Sequence, residues 1–355
     1  MAAITSVEIE NFRCFRKLRV DGLAQVNLIV GANNAGKTVL LEAIEAVVSR
    51  DSPFALYRAS LERNEYRQRR GADEDLVELD LRHWFHGHTL SAGTAFYIRA
   101  AGAQYLLTSQ HNIETVPADE LSPRYLPGGL RLVSRQPPTL KRPDLTKVGK
   151  VAMTADGWLR TVFPPALHSL ELEPPVGFVP TNRIVQGELA KLWTKVELTP
   201  AEQRTVDALR LIEPQIERIA ISESDGAKVL LHGAKNPVPL GSLGEGVSRI
   251  LTLALHVALT PGGFLLIDEI ENGLHWSVMP KIWRFLVEAA IANQTQIFAA
   301  THSKDWLEGL ADLHQNNPEL ATQVAVHRLQ KGRDTSIRFD AGRIAEYVEM
   351  ELEAR

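Results

Sequence analysis

Apolar and polar residues alternate over residues 4–9 (ITSVEI), which predicts a strand with one buried face. Residues 25–30 (QVNLIV) are more continuously apolar, the pattern of a strand covered on both faces. The segment between them reads as a turn. A glycine-rich loop, GANNAGKT, follows. VLLEAIEAVVSR then carries Leu40, Leu41, Ile44, Val47 and Val48 at helical spacing. The first fifty residues therefore read strand, turn, strand, glycine loop, helix.

From 51 to 175 the pattern changes. YRASLERNEYRQRR is a charged helix or loop, and VELDLRHWF, TAFYIRA and QYLLTS predict strands. Pro137-Pro138, Pro164-Pro165 and Pro174-Pro175 forbid a long helix, and the absence of heptads argues against a coiled-coil arm. From about 176, strands and helices alternate. VGFVP, KVLLHG, FLLIDE and TQIFAATH read as strands. ELAKLWTKVELTPAEQRTVDALRLIEPQIERIA reads as mostly helical, with Thr199 as N-cap before Pro200. VSRILTLALHVAL and VMPKIWRFLVEAAIANQ read as helices. Such alternation implies a mostly parallel sheet flanked by helices. The expected organisation is an α/β head built from 1–50 and 176–355, with a β-rich lobe inserted at 51–175.

Composition narrows the class. A length of 355 residues suggests about two domains at roughly 150 residues each. Apolar residues at 45% and charged residues at 23% describe an ordinary globular protein. A net charge of −4 argues against a strongly basic nucleic-acid clamp while leaving local patches open. The single cysteine, Cys14, excludes an intramolecular disulfide and a cysteine zinc site. The N-terminus has no long apolar segment of a secretory signal. The greasiest stretch, Ile250 to Leu259, falls short of the ~20 residues that cross a bilayer. A cytoplasmic protein without membrane attachment is expected.

Four segments carry candidate chemistry. Gly31-Ala32-Asn33-Asn34-Ala35-Gly36-Lys37-Thr38 matches GxxxxGK[ST], between a predicted strand and a predicted helix. Small residues let backbone N–H groups wrap phosphate oxygens; Lys37 adds charge at the β- and γ-phosphates, and the Thr38 hydroxyl suits Mg²⁺. The helix N-terminus behind the loop adds its dipole. Phe264-Leu265-Leu266-Ile267-Asp268-Glu269 is an apolar strand ending in two carboxylates. Asp268 would hold Mg²⁺, directly or through water, and Glu269 would polarise an attacking water; alternatively, two solvated acids close a core strand. His302 ends the next predicted strand, as a γ-phosphate sensor or as a structural histidine. Ser242-Leu243-Gly244-Glu245-Gly246 opens an apolar helix, as a second anion cradle or a plain cap.

Together these segments resemble the ABC-type ATPase heads, and within them the SMC/RecF/OLD-like branch, which includes standalone ATPases of bacterial DNA repair and phage defence. Asn11-Phe12-Arg13-Cys14-Phe15 is similar to that branch's opening. The resemblance covers about 1–50 and 176–355. It implies a P-loop NTPase fold, ATP and Mg²⁺ as cofactors, and slow ATP hydrolysis with Glu269 and His302 as catalytic residues. It also implies a composite site. Two chains pair head-to-tail as an ATP-gated homodimer, with ATP between Asn33, Asn34, Ala35, Gly36, Lys37 and Thr38 of one chain and the signature segment of the other. Gly244 and Gly246 would face the partner's γ-phosphate, while Glu271, Asn272 and His275 would occupy the loop that crosses the interface. Arg13 would lie near the nucleotide, with a surface arginine as the alternative. The sequence departs from the pattern in two places. Aligned on Arg249, the signature serine falls on Leu243, so Ser242 stands one place early, and no Q-loop glutamine can be placed. Phe178-Val179-Pro180-Thr181-Asn182-Arg183 stands where the branch has a strand followed by an arginine.

The remaining features concern partners. Arg58, Arg63, Arg67, Arg69 and Arg70 fall within thirteen residues, and 131–150 carries six cations against Asp144. Either run fits DNA backbone or a solvated face. His83-Trp84-Phe85-His86-Gly87-His88 read as a strand puts His86 and His88 on one face and His83 on the other, which favours capping histidines over a metal site. The tail RIAEYVEMELEAR is acidic and amphipathic and would dock on its own head or on a partner. The expected function is an ATPase of DNA repair or anti-phage defence. The alternative is a regulatory ATP-switched module that controls a separately encoded effector protein with little hydrolysis of its own. A small-molecule kinase would leave SLGEG and His302 unexplained.

Overall fold

The computed structural model describes residues 3–49, 53–70, 75–102, 106–115, 130–136, 147–153, 158–161, 174–181, 184–339 and 343. Lys141, Arg142 and Arg183 of the sequence analysis, and the tail from 344 onward, lie outside the described residues. Strands β1 (Ser6–Phe12) and β2 (Phe15–Asp21) form a hairpin, and β3 (Val26–Val30) leads through the glycine loop into α1 (Lys37–Val48). Where the sequence suggested only a turn, β2 buries Phe15, Leu18 and Val20. The adjacent polar pair Arg16-Lys17 interrupts its alternation.

Next come α2 (Pro53–Glu62), β4 (Tyr66–Arg70), β5 (Asp75–Asp80), β6 (Ala95–Ala101), β7 (Leu106–Thr115), β8 (Leu130–Gln136), β9 (Lys147–Met153) and β10 (Trp158–Thr161). Because β6 pairs with β1, these strands continue the sheet that the β1–β2 hairpin begins, in the order β2-β1-β6-β7-β8-β9-β10-β5-β4. Residues 81–88 are not the strand expected from the histidine spacing. They make two short 3₁₀ turns, and Gly87 between His86 and His88 has a φ of 79° that extended structure does not permit.

The rest of the chain supplies β11 (Val176–Val179), α3 (Gln186–Thr194), α4 (Pro200–Leu209), β12 (Ile216–Ser222), β13 (Gly226–Leu231), β14 (Val238–Pro239), α5 (Glu245–Leu259), β15 (Phe264–Ile267), α6 (Met279–Asn293), β16 (Gln296–Ala300), α7 (Lys304–Asn316), α8 (Pro318–Ala321), β17 (Val324–Arg328) and β18 (Ile337–Phe339). The Thr199 hydroxyl caps α4 by accepting from the Ala201 N–H. The helical reading fails beyond this point. Pro214 cannot continue a helix, and Ile216–Ser222 pairs instead with β13.

A second sheet runs β11-β15-β16-β3-β17-β18, parallel except at the β17–β18 edge. Every residue of β3, β15 and β16 is buried, as in a sheet covered on both faces. Val26, Leu28, Leu265, Ile267, Ile297 and Ala299 pack into one core with α4, α5, α6 and α7. Ile29, Phe264, Leu266 and Phe298 pack on the opposite face against α1, whose other side meets Ile9, Phe96 and Ile98 of the antiparallel sheet. The helix behind the glycine loop is thus clamped between two sheets, and Val39 through Val48 are all buried. Two of those residues, Glu42 and Glu45, are carboxylates that need partners in this setting. Arg13 and Arg63 each place Nε 2.8 Å from Glu42, and Arg58 pairs with Glu45. Arg67 pairs with the buried Glu78 at 2.7 Å. Three arginines of the first basic run therefore answer internal carboxylates.

Candidate functional site

The phosphate loop lies between the carboxyl end of β3 and the first turn of α1. Its path needs left-handed backbone at Asn34 (φ 64°) and Gly36 (φ 95°). A Cβ on Gly36 would lie 2.4 Å from the Phe15 ring and 3.0 Å from Cys14 Sγ, so the β1–β2 hairpin presses on the loop. Lys37 Nζ donates to the carbonyls of Gly31 at 2.8 Å and Ala32 at 3.2 Å, which folds the ammonium across the loop. Burial pushes the Lys37 pKa down, against the pull of Glu271, Asp268 and Glu269.

Asp268 follows β15 on the strand next but one to β3. The Thr38 hydroxyl donates to its carboxylate, 3.0 Å from one oxygen and 3.1 Å from the other, and the Thr181 hydroxyl adds a longer contact at 3.4 Å. Burial raises the Asp268 pKa, and the Thr38 and Thr181 hydrogen bonds oppose the rise. A hydroxyl and a carboxylate converging this way are hard oxygen donors of the kind Mg²⁺ takes. Glu269 has a φ of 44°, a left-handed conformation that costs energy outside glycine. Arg249 of α5 holds the strained turn, with Nη2 donating to the carbonyls of Asp268 (2.8 Å) and Glu269 (3.0 Å) and Nη1 to that of Pro180 (2.8 Å). Burial pushes the Arg249 pKa down to about 10.

The backbone N–H of His302 donates to Glu271 Oε1 at 3.0 Å, and its Nδ1 lies 2.9 Å from the same oxygen. Glu271 thus fixes the imidazole from one side. Asn272 Nδ2 donates to the Thr181 carbonyl at 2.8 Å, and His275 Nδ1 lies 2.8 Å from Ser277 Oγ.

A cavity of about 510 Å³ collects most of the residues expected at a nucleotide site: Asn33, Asn34, Gly36, Lys37, Thr38, Asp268, Glu269 and His302. Arg13 also lines it, but as a buried residue paired with Glu42 and, at 2.7 Å, with Glu65; a surface arginine is excluded. Ala35 sits in the loop and is buried against the second core. The signature segment lies elsewhere. Ser242, Gly244 and Gly246 do not line this cavity. The Ser242 hydroxyl donates to the Pro239 carbonyl at 2.6 Å and does not cap α5, whose N-cap is Gly244 at φ 101°. A Cβ on Gly246 would lie 3.0 Å from the Gly273 carbonyl, so this turn packs on the loop that follows Glu271. Sequence reasoning used Arg249 only as an alignment anchor. It missed both the clamp on Glu269 and the approach of His83 and His88 to the cavity. An arginine five positions into an otherwise apolar helix was the available signal for the first.

The fold and the site define a P-loop nucleotide-binding α/β protein. The family model for an AAA ATPase domain matches residues 3–114. A second AAA domain model, whose description also refers to a Type IV TA system, matches residues 195–305. A Helicobacter pylori protein called ATP/GTP phosphatase is 24% identical over 336 residues, covering 86% of each chain. An uncharacterized protein of Methanocaldococcus jannaschii is 41% identical over 54 residues, 15% of this chain and 25% of that one. The SMC head domain from Thermotoga maritima is similar at 15% identity, covering 96% of this chain and 99% of that one, with a TM-score of 0.44. An Smc head solved with the C-winged helix domain of ScpA is similar at 13% identity with a TM-score of 0.48 and the same coverage. These matches support an ATPase activity for this chain. No helix among the described residues is long and apolar enough to cross a membrane.

Proposed function

We propose that this chain hydrolyses ATP to ADP and phosphate in a site completed by a second copy, and that the resulting opening and closing of a head-to-tail dimer drives a task in DNA repair or anti-phage defence. The observation that carries the reading is the Thr38–Asp268 contact at 3.0 Å, which joins the phosphate loop to the end of an apolar parallel strand. Mg²⁺, held by Thr38 and Asp268, would supply charge neutralisation at the β- and γ-phosphates. Lys37 gives up its loop carbonyls for phosphate oxygens. Glu269, aimed by Arg249, accepts a proton from the attacking water, and His302, oriented by Glu271, holds the terminal phosphate. The exposed Gly244 at the mouth of α5, which does not line its own chain's phosphate-loop cavity, supports delivery of the signature in trans. The name of the Helicobacter pylori relative supports nucleoside triphosphate as substrate.

The engagement of the Ser242 hydroxyl by Pro239 favours a second reading. A signature lacking a free serine turns over slowly, and ATP occupancy then acts as a switch on a separately encoded effector. Phosphate release by wild type, Lys37→Ala and Glu269→Gln tests the first reading. Lys37→Ala loses nucleotide binding. Glu269→Gln keeps it, hydrolyses at least ~10²-fold more slowly, and accumulates as an ATP-bound dimer by light scattering. Wild-type turnover by Glu269→Gln refutes the catalytic assignment. DNA-stimulated turnover supports a DNA-bound role, whereas a stable complex with a neighbouring gene product and no response to DNA supports the switch.

A further inference from the structure

One sequence motif has no part in the reaction above: His83-Trp84-Phe85-His86-Gly87-His88. We propose that His88, held by His83 and Asp80, is the nucleoside-binding wall of the phosphate-loop cavity and offers the nucleoside a hydrogen-bond acceptor. The inference rests on reading that cavity as the nucleotide site.

The placement comes first. His83 and His88 line the same cavity as Gly36, Lys37 and Thr38. Phosphates anchored at Lys37 and Thr38 leave the nucleoside to meet the remaining wall. The charged groups on that wall are already engaged, Arg13 with Glu42 and Glu65 and Arg63 with Glu42. The two histidines remain. Their segment is fixed to the hairpin that presses on the loop. The Arg13 N–H donates to the Trp84 carbonyl at 3.0 Å, His86 Nδ1 lies 3.0 Å from the Arg13 carbonyl, and the buried Trp84 donates through Nε1 to Ser60 Oγ at 2.7 Å.

The proton count then sets the polarity. Left-handed backbone at Gly87 (φ 79°) and His88 (φ 56°) turns the chain back, so that the two rings stand 5.1 Å apart with their Nδ1 atoms at 3.2 Å. His83 Nε2 lies 3.4 Å from Asp80 Oδ2. Burial pushes the Asp80 pKa up, but hydrogen bonds from Arg82 outweigh it and hold Asp80 below the usual carboxylate range. The Asp80 carboxylate, as an acceptor, favours the His83 tautomer with its proton on Nε2. His83 Nδ1 is then the acceptor for the proton on His88 Nδ1, which leaves His88 Nε2 with a lone pair. That lone pair can accept from a donor on a ligand. A nucleoside offers two kinds, a ribose hydroxyl and an exocyclic amine.

Calorimetric titration of the full chain with Mg²⁺ and either ATP or inorganic tripolyphosphate tests this. His88→Ala should weaken ATP binding by about 3- to 10-fold, the worth of one hydrogen bond, and leave tripolyphosphate unchanged. His83→Ala should act in the same direction. ATP analogues lacking in turn the 2′-hydroxyl, the 3′-hydroxyl and the N6 amine locate the donor, since the analogue without it becomes insensitive to His88→Ala. Cys14, the chain's one cysteine, lines the cavity, so its alkylation rate reports occupancy independently. Protection in His88→Ala should need about 3- to 10-fold more ATP. Unchanged ATP affinity in His88→Ala, equal losses for ATP and tripolyphosphate, or sensitivity retained by all three analogues would each overturn the proposal. Wild-type ATP and tripolyphosphate affinities in Lys37→Ala would instead overturn the nucleotide-site reading beneath it.

Discussion

Glu42 gives the sharpest test of how the phosphate-loop helix is held. It lies 3% exposed in α1, with Arg13 (5% exposed) and Arg63 (34% exposed) each 2.8 Å away. Removing one member of a buried pair strands the other charge and costs about 3–5 kcal/mol. In Glu42→Ala, Arg13 keeps Glu65 at 2.7 Å, so the loss should fall at the low end, about 3 kcal/mol. Arg63→Ala removes only the half-exposed partner and should cost no more than about 1 kcal/mol. Urea unfolding of the nucleotide-free chain, followed by far-UV circular dichroism, measures both. Raising the salt concentration should leave the Glu42→Ala deficit nearly intact, because buried charges are poorly screened. Glu42→Gln keeps the volume, so a similar deficit there assigns the loss to charge rather than to a cavity. Equal shifts for Glu42→Ala and Arg63→Ala, or a Glu42→Ala loss within about 1 kcal/mol of zero, would refute the argument.

Two further outcomes follow from the same neighbourhood. Gly36→Ala should cost about 1–3 kcal/mol and weaken ATP binding beyond measurement, because its Cβ meets the Phe15 ring at 2.4 Å with φ at 95°; calorimetry and thermal melting read the two effects. Burial raises the Asp268 pKa, so the folded apo protein binds that proton more readily than the unfolded chain does. Its contribution therefore lowers apo stability as pH rises from the usual carboxylate range through the raised value, and restores it as pH falls. Asp268→Asn should remove that slope and stabilise the apo protein near neutral pH. The same slope in wild type and Asp268→Asn melting temperatures between pH 4 and pH 7 would contradict it.

Much of the site was legible because its chemistry is local. GANNAGKT between a strand and a helix needs no tertiary information, and a short apolar run ending in Asp268-Glu269 fits a buried strand with carboxylates at its end. Less was legible where partners come from afar. Glu42 and Glu45 look like the polar side of an amphipathic helix. They are buried because α1 is closed in between the parallel sheet and the antiparallel one, most of whose strands lie downstream of it in sequence. The arginine run around Arg58 to Arg67 fitted DNA backbone or a solvated face for the same reason, since its counter-charges on α1 and β5 belong to other elements. The histidine segment misled through backbone conformation. Alternation assumes extended structure, and Gly87 with His88 at positive φ reverses the chain within two residues.

The carboxyl end of the parallel sheet gathers the charged groups of the candidate site. Asp268, Glu269 and Glu271 act on one lysine, whose pKa burial lowers and these carboxylates raise. Arg249 is another cation near this group; its guanidinium hydrogen-bonds backbone carbonyls and attracts the three carboxylates through space, while Glu271 lies against His302. The negative charge of Asp268 and Glu269 is thus offset without a direct ion pair to Lys37 or Arg249, beside a strained backbone at Glu269. In the proposed reaction a divalent cation at Thr38 and Asp268 would offset that negative charge, and phosphate oxygens, the stronger acceptors, would draw Lys37 off the Gly31 and Ala32 carbonyls. Arg249 joins this end of the sheet to α5, so in the proposed dimer a shift of that helix would act on the strained turn at Glu269 through the 3.0 Å contact to its carbonyl.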